Sequence, residues 1–453
     1  MKRSIQLFAV VIAIQNCIYG QSWPSFAGPT HNYVADPAET GITDNAAYIT
    51  KVWESTERLG PGPSQAKRYG CTNLTKTPGG GSASPIVYDG KVYISFWEPV
   101  GPNYDHSIVN DLITVDSCDS ATVMSRTDLW YIQGKDVVLC LDANTGAKLW
   151  RTTIDGLYRW DHSKNREANN TICEANGKIY GYTSIGKIFS LNANTGAINW
   201  QTAGWSSMVT ALANSIVSNQ FMSQAIIGSG VVFADSVVLF GTEGNTLYAY
   251  DAGNGNQLWT KGNAMGGQSM PVVWKYGGTT YIITANIDGD LWCLNPHTGA
   301  TVWSLSGLGG NRSDVIVNGE YMMCYVEGEH QTHSQQKIGV YRINASGATH
   351  LWTHPETTPN NSCPGVIVNN RVYKIIESVQ KLYCFDVETG MVMSSTGTGT
   401  EGHYFYYVDG KIITETDAEH STSNNYTVYK ADSNYVVKLT GWDWPFLETN
   451  GYE

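Results

Sequence analysis

The chain is written as short apolar runs separated by tight polar turns, and the alternation recurs over most of its length. Apolar runs of strand length stand near Ser84-Pro85-Ile86-Val87, Thr171-Ile172-Cys173, Ala225-Ile226-Ile227, Met270-Pro271-Val272-Val273, Val315-Ile316-Val317, Gly365-Val366-Ile367-Val368 and Tyr404-Phe405-Tyr406-Tyr407. Between them a second signature repeats. Leu141 to Trp150 reads Leu-Asp-Ala-Asn-Thr-Gly-Ala-Lys-Leu-Trp, and Leu191 to Trp200 copies it almost residue for residue. Tyr250 to Trp259, Leu294 to Trp303 and Phe385 to Met393 copy it more loosely, and a worn copy at Asn344 to Gly347 has its tryptophan, Trp352, displaced by one residue. The turn glycines Gly146, Gly196, Gly255, Gly299, Gly347 and Gly390 mark a unit of roughly 43 to 59 residues. Each copy predicts a strand end, a turn and a strand. The Asx side chain caps the turn, glycine takes the positive φ, and the aromatic residue packs as the large apolar anchor. Gly146, Gly196, Gly255 and Gly299 with Trp150, Trp200, Trp259 and Trp303 are therefore read as structural.

Units of this length, each with four strand-like runs, cannot bury both of their faces alone and must stack on one another. The predicted fold is all-β: a single β-propeller of four-stranded antiparallel blades, seven by count of the first strands, with eight as the alternative. Trp53, in Ile49-Thr50-Lys51-Val52-Trp53, reads as an outer strand with no inner strands before it, while the last unit ends in a degraded turn at Ala431 to Asn434. Joining these two closes the ring and removes open sheet edges. The alternative makes Tyr435 to Leu439 the true outer strand and leaves Trp53 outside the last blade. The expected organisation is a signal peptide at 1–20, an N-terminal extension at 21–48, the propeller at 49–434 and a tail at 435–453.

The pattern Asp-x-x-Thr-Gly-x-x-x-Trp, preceded by an apolar strand, resembles the tryptophan-docking repeat of the pyrroloquinoline-quinone (PQQ) type propellers. That family includes quinoprotein alcohol dehydrogenases, the BamB outer-membrane assembly factor and secreted PQQ-like proteins. The resemblance spans about residues 50–430, and Trp23-Pro24-Ser25-Phe26-Ala27-Gly28-Pro29 is similar to the opening of the secreted members. It implies architecture rather than chemistry, because members with and without quinone carry the repeat. The chain lacks the adjacent cysteine pair of the quinoprotein dehydrogenases and is shorter than their catalytic domain. PQQ is therefore not an expected cofactor.

Lys2 and Arg3 precede the apolar run Ile5 to Ile14 and a short polar stretch ending at Gly20. This is the plan of a cleavable secretory signal, so a secreted or periplasmic location is expected. A net charge of −12, more acidic still without the leader's Lys2 and Arg3, disfavours nucleic acid and anionic membrane surfaces as partners. No later stretch has the apolar length of a spanning helix, so membrane insertion is not expected, and the protein is read as a monomer. Cys140, Cys293 and Cys384 sit two residues before a turn Asx and read as small core residues, as do the strand-associated Cys173, Cys324 and Cys363. That leaves Cys71 and Cys118, on two long loops, as the candidate disulfide.

If the turn glycines share one face, the long connections fall on the other: Glu54 to Ala83, Glu98 to Asp128, Asp155 to Asn170, Ala203 to Ser223, Glu327 to Gln336 and Asp417 to Asn424. Long loops on a rigid ring are where function is expected. Glu329, His330 and His333 form the densest set of metal-ligand types, making a divalent metal a candidate cofactor, and His162, His330, His333, His403 and His420 are candidate bases. Tyr158, Arg159, Trp160 and Arg312 add aromatic and cationic groups that suit sugars or carboxylates. The bland reading, solvated loop residues and interblade packing, stands beside each of these. The functional expectation is an extracytoplasmic binding or scaffolding module for a glycan or protein partner. A polysaccharide-active enzyme on the long-loop face is the alternative, and a quinoprotein dehydrogenase the second.

Overall fold

The computed structural model describes residues 22–45, 48, 51–56, 83–99, 130–160, 171–183, 185–204, 230–241, 245–266, 269–310, 315–328, 335–358, 365–398, 402–416, 426–432 and 434–439. These form seven four-stranded sheets, each an antiparallel meander in chain order. Blade 1 comprises Ile86–Tyr88, Lys91–Pro99, Trp130–Asp142 and Lys148–Trp160, and blade 2 comprises Cys173–Ala175, Lys178–Tyr182, Ile188–Asn192 and Ile198–Gln201. Blade 3 takes Val231–Ala234, Val237–Gly241, Leu247–Asp251 and Gln257–Lys261, and blade 4 takes Val272–Tyr276, Thr279–Ala285, Leu291–Leu294 and Thr301–Leu305. Blade 5 is Ile316–Asn318, Tyr321–Val326, Lys337–Asn344 and Gly347–Thr353, and blade 6 is Val366–Val368, Arg371–Ile376, Lys381–Asp386 and Val392–Gly397. Blade 7 is Gly402–Val408, Lys411–Thr416, Tyr426–Ala431 and Val436–Lys438. The architecture is the seven-bladed propeller that the repeat predicts.

Burial follows from stacking. A second strand such as Val237–Gly241 is covered on both faces and is buried throughout, which is why it reads as a continuous apolar run. The outer strand of the same blade, Gln257–Lys261, is mostly exposed apart from its tryptophan. Asp142 Oδ1 accepts the amides of Asn144 and Thr145 and the Thr145 hydroxyl, while the Gly146 amide closes back on the Asp142 carbonyl at 2.9 Å. Asn192, Asp251, Asn295 and Asp386 repeat this capping. Cys140, Cys293 and Cys384 are buried free thiols in the third strands, and burial pushes the first two up to about 12, keeping them neutral.

The chain ends differ from the sequence expectation. Blade 7 supplies its own outer strand, Val436–Lys438, inside the stretch expected to be tail, and Trp53 lies outside any strand. The closing strand is thus a correction, and its cause is visible: the blade 7 turn is stitched by the Asp432 amide on the Tyr435 carbonyl, without a Thr-Gly pair to announce it. Trp53 still performs the docking task. Its indole donates to the Ala143 carbonyl at 2.7 Å and covers Gly146 of blade 1. Upstream, the Gly41 and Ile42 amides bind Asp409 Oδ2 on the first hairpin of blade 7, so the N-terminal segment ties the last blade to the first.

Residues 22–35 do more than link. Trp23 bridges to Val87 of blade 1, the Pro24 carbonyl accepts the Glu174 amide of blade 2, and Val34 bridges to Tyr407 of blade 7. Ser25, Ala27, Asn32 and Tyr33 are buried in this arrangement. The partners all lie on first strands beside the first hairpins, so the segment covers the inner strands at the turn-bearing end.

Two titratable groups sit here with opposite consequences. His31 Nδ1 is buried without a hydrogen-bond partner among the described residues, and burial, aided by Lys275, lowers the imidazole to about 4. Glu174, 7% exposed, is raised to about 6 by burial against the opposing Gly177 amide. For His31 the unfolded chain takes the proton first, so its contribution is full above pH ~6.5 and is lost as pH falls towards 4. For Glu174 the folded chain holds the proton longer, so its contribution is full below pH ~4.5 and is lost as pH rises through about 6. Urea unfolding between about pH 4 and pH 7 separates them. His31→Asn, which tolerates the positive φ at this position, is expected to remove about 1–3 kcal/mol of the acid-side loss. Glu174→Gln is expected to remove a smaller term of opposite sign, and identical pH profiles for both variants and the parent would refute the assignment.

Candidate functional site

The meander puts the first hairpin and the third-to-fourth-strand turn at one end of every blade, and the second-to-third-strand and blade-to-blade connections at the other. At that second end the seam between blades 5 and 6 departs from the apolar rule. Along Arg371–Ile376 the side chains alternate. Tyr373 faces blade 7, its hydroxyl donating to the Asp432 carbonyl and its ring stacking on Tyr407. Lys374 faces blade 5, its Nζ 5.8 Å from the centre of the Tyr325 ring.

The lysine stem passes Gly365, where a Cβ would stand 3.0 Å from Lys374 Cδ and 2.8 Å from the Tyr373 carbonyl; the position also has a φ of +80°. The ammonium lies 3.4 Å from Glu377 Oε1, and both side chains are fully buried. The other carboxylate oxygen, Oε2, accepts the Thr358 hydroxyl. Thr358 is held by its own amide on the Gln336 carbonyl at 2.7 Å, and the Gln336 side-chain amide donates to the Gly310 carbonyl at 2.5 Å. Gln336 Oε1 is buried with no partner among the described residues.

Residues 354–358 run along this seam with every second side chain turned to blade 6. Glu356 Oε2 lies 3.2 Å from His354 Nε2 and accepts the Tyr383 hydroxyl at 3.0 Å. The His354 ring packs on Phe385 at 4.9 Å. Burial, then the bond to Glu356, raise the Tyr383 phenol, so it stays a donor. Glu356 is thus a half-exposed carboxylate gripped by two neighbours, with a desolvated ammonium–carboxylate pair farther along the same seam. Such a file can orient a hydroxyl- or amide-bearing partner, or hold the connecting loops in one register.

The sequence candidates are placed as follows. Tyr158, Arg159 and Trp160 end the outer strand of blade 1, opposite Ile132, Tyr131 and Trp130, and His403 lies in the first strand of blade 7. His162, Glu329, His330, His333, His420, Arg312, Cys71 and Cys118 lie outside the described residues. Among the described residues no group of three or more metal-ligand types converges. Sequence reasoning missed Lys374, Glu377, Thr358, His354 and Glu356. A signal was present: Lys374 interrupts the apolar run Val372-Tyr373-Lys374-Ile375-Ile376, where a solvated lysine has no place.

Comparison with known proteins follows the fold. The chain is similar in structure to BamB from Moraxella catarrhalis, at 15% identity and a TM-score of 0.43, covering 64% of this chain and 80% of that one. It is also similar to a quinohemoprotein alcohol dehydrogenase from Comamonas testosteroni, at 13% identity and a TM-score of 0.48, covering 94% of this chain and 73% of that one. No curated protein sequence matches it. The family model described as outer membrane protein assembly factor BamB matches residues 134–396, from the third strand of blade 1 to the fourth strand of blade 6. With more than half its length inside that match, the chain belongs to the PQQ-like, BamB-type β-propeller family.

Proposed function

We propose that this protein is an extracytoplasmic scaffold that holds a polypeptide partner on the loop-bearing face, with no bound quinone. The carrying observation is the N-terminal segment: residues 22–35 cover the inner strands of blades 7, 1 and 2 at the turn-bearing end. Among the described residues no such segment covers the loop-bearing end, where the polar seam of blades 5 and 6 lies. The assembly role named for the family supports a protein over a glycan as the partner, and the acidic composition agrees with the exclusion of nucleic acid.

The test is site-specific photo-crosslinking in the native extracytoplasmic compartment. Crosslinkers at Glu356 and Lys337, at the loop-bearing end, are expected to capture one discrete protein species. Crosslinkers at Asn144 and Asn194, in the Thr-Gly turns, are expected not to. Equal capture from both ends overturns the proposed face. Robust dye reduction with an alcohol after addition of PQQ and calcium would replace the scaffold reading with the dehydrogenase one.

A further inference from the structure

The turn-bearing end carries a feature that the scaffold reading leaves unused. Between the first hairpins of blades 5 and 6 lies an open-sided groove of about 210 Å³. Asn318, Glu320 and Tyr321 form one wall, and Ile367, Asn369 and Asn370 form the other. The wall spacing is fixed by a bond across the seam, from Asn318 Nδ2 to the Ile367 carbonyl at 2.7 Å. The Tyr321 ring is fixed too: its hydroxyl donates to Glu388, which Arg342 also binds while lying 6.0 Å over the ring.

The remaining polar groups are uncommitted. The Asn370 amide and the Glu320 carboxylate have no partner among the described residues, and Asn369 reaches Tyr407 Oη only at 3.4 Å. The nearby cations are taken, Arg342 by Glu388 and Arg371 by Asp386 at 2.9 Å. This lining offers amide donors and acceptors and one carboxylate beside the aromatic Tyr321 and the aliphatic Ile367 and Val368, with no free positive charge among the described residues. Phosphates and carboxylates are disfavoured there, because Glu320 repels them and no cation answers. A neutral polyhydroxylated ring satisfies both halves, its hydroxyls on the amides and carboxylate and its C–H face on Tyr321.

We infer that this groove is a subsite for a single neutral pyranose, separate from the proposed protein-binding face.

The experiment is saturation-transfer NMR on the full chain with glucose, galactose and N-acetylglucosamine, followed by titration of whichever sugar responds. A shallow site of this size is expected to give a Kd of about 1–10 mM. Asn370→Gly keeps the backbone at its φ of +58° and removes the amide, and Glu320→Ala removes the carboxylate. Each is expected to weaken binding at least about 5-fold with the melting temperature unchanged, because both side chains are exposed hairpin-tip groups. No response from any of the three sugars overturns the inference. So does binding that survives both substitutions, which would place the sugar elsewhere. Neither result bears on the crosslinking at the opposite face.

Discussion

Replacing Lys374 with methionine is expected to lower the unfolding free energy by about 3–5 kcal/mol, because the substitution removes the ammonium that faces the Glu377 carboxylate in a fully buried position. The methionine stem is close in length to the lysine stem, so packing against Gly365 and Tyr325 changes little and the loss reports electrostatics rather than a cavity. The double variant Lys374→Met with Glu377→Leu is expected to recover most of the loss, since a buried ion pair is often exchanged for apolar groups at little cost. Recovery should be incomplete by about 1 kcal/mol, because the Thr358 hydroxyl loses its acceptor. Urea unfolding of the parent, the single and the double variants checks all three statements. A single variant within about 0.5 kcal/mol of the parent would show that the pair carries no buried charge. If the double variant also loses the crosslinked partner while regaining stability, the seam is part of the binding surface and not merely its support.

What could be read from the chain divides by the range of the interactions. The Thr-Gly turns are local: Asp142 caps amides two and three residues away, so a ten-residue window contains its own structural reason. Its recurrence marks the third and fourth strands of most blades, while the blade number comes from the count of first strands. The N-terminal segment is the reverse case. Trp23 gains its place only by meeting Val87, and Val34 by meeting Tyr407, with nothing nearby in sequence to mark either partner. Trp53 falls between the two. Its kinship with the anchoring aromatics of the repeat was legible, while its lying outside a strand was not, and the outer strand at Val436–Lys438 stood only as the alternative, since the blade 7 turn has lost the residues that identify the others. The polar seam was hidden for a related reason. Lys374 and Glu377 are three residues apart, but Thr358 and Gln336 come from the preceding blade, and only stacking brings them together.

The docking tryptophans allow a prediction that separates packing from hydrogen bonding. Trp53, Trp150, Trp200, Trp259 and Trp352 each donate Nε1 to a backbone carbonyl beside the turn they cover, at 2.7, 3.0, 3.1, 2.8 and 2.8 Å. Trp303 is as buried as Trp150, 8% against 9% exposed, yet its Nε1 has no partner among the described residues. The cause is the worn turn of blade 5. Gly347 has a φ of +156°, and a Cβ there would meet nothing within 4 Å, whereas a Cβ on Gly196 would stand 2.5 Å from the Trp150 ring. Trp150→Ala and Trp303→Ala are each expected to cost about 3–5 kcal/mol, because both open a large cavity in an interblade core. Phenylalanine removes the same N–H and similar volume at both sites, so the difference between the two variants isolates the hydrogen bond. Trp150→Phe removes one of the two bonds to the Ala193 carbonyl, which keeps the Tyr93 hydroxyl at 3.2 Å, and is expected to cost about 0.5–1.5 kcal/mol more than Trp303→Phe, which removes a donor that was already stranded. Thermal and urea unfolding of the four variants checks this. Equal costs for the two phenylalanine variants would show that the N–H contributes nothing at blade 2, and that the docking repeat holds its seams by ring packing alone.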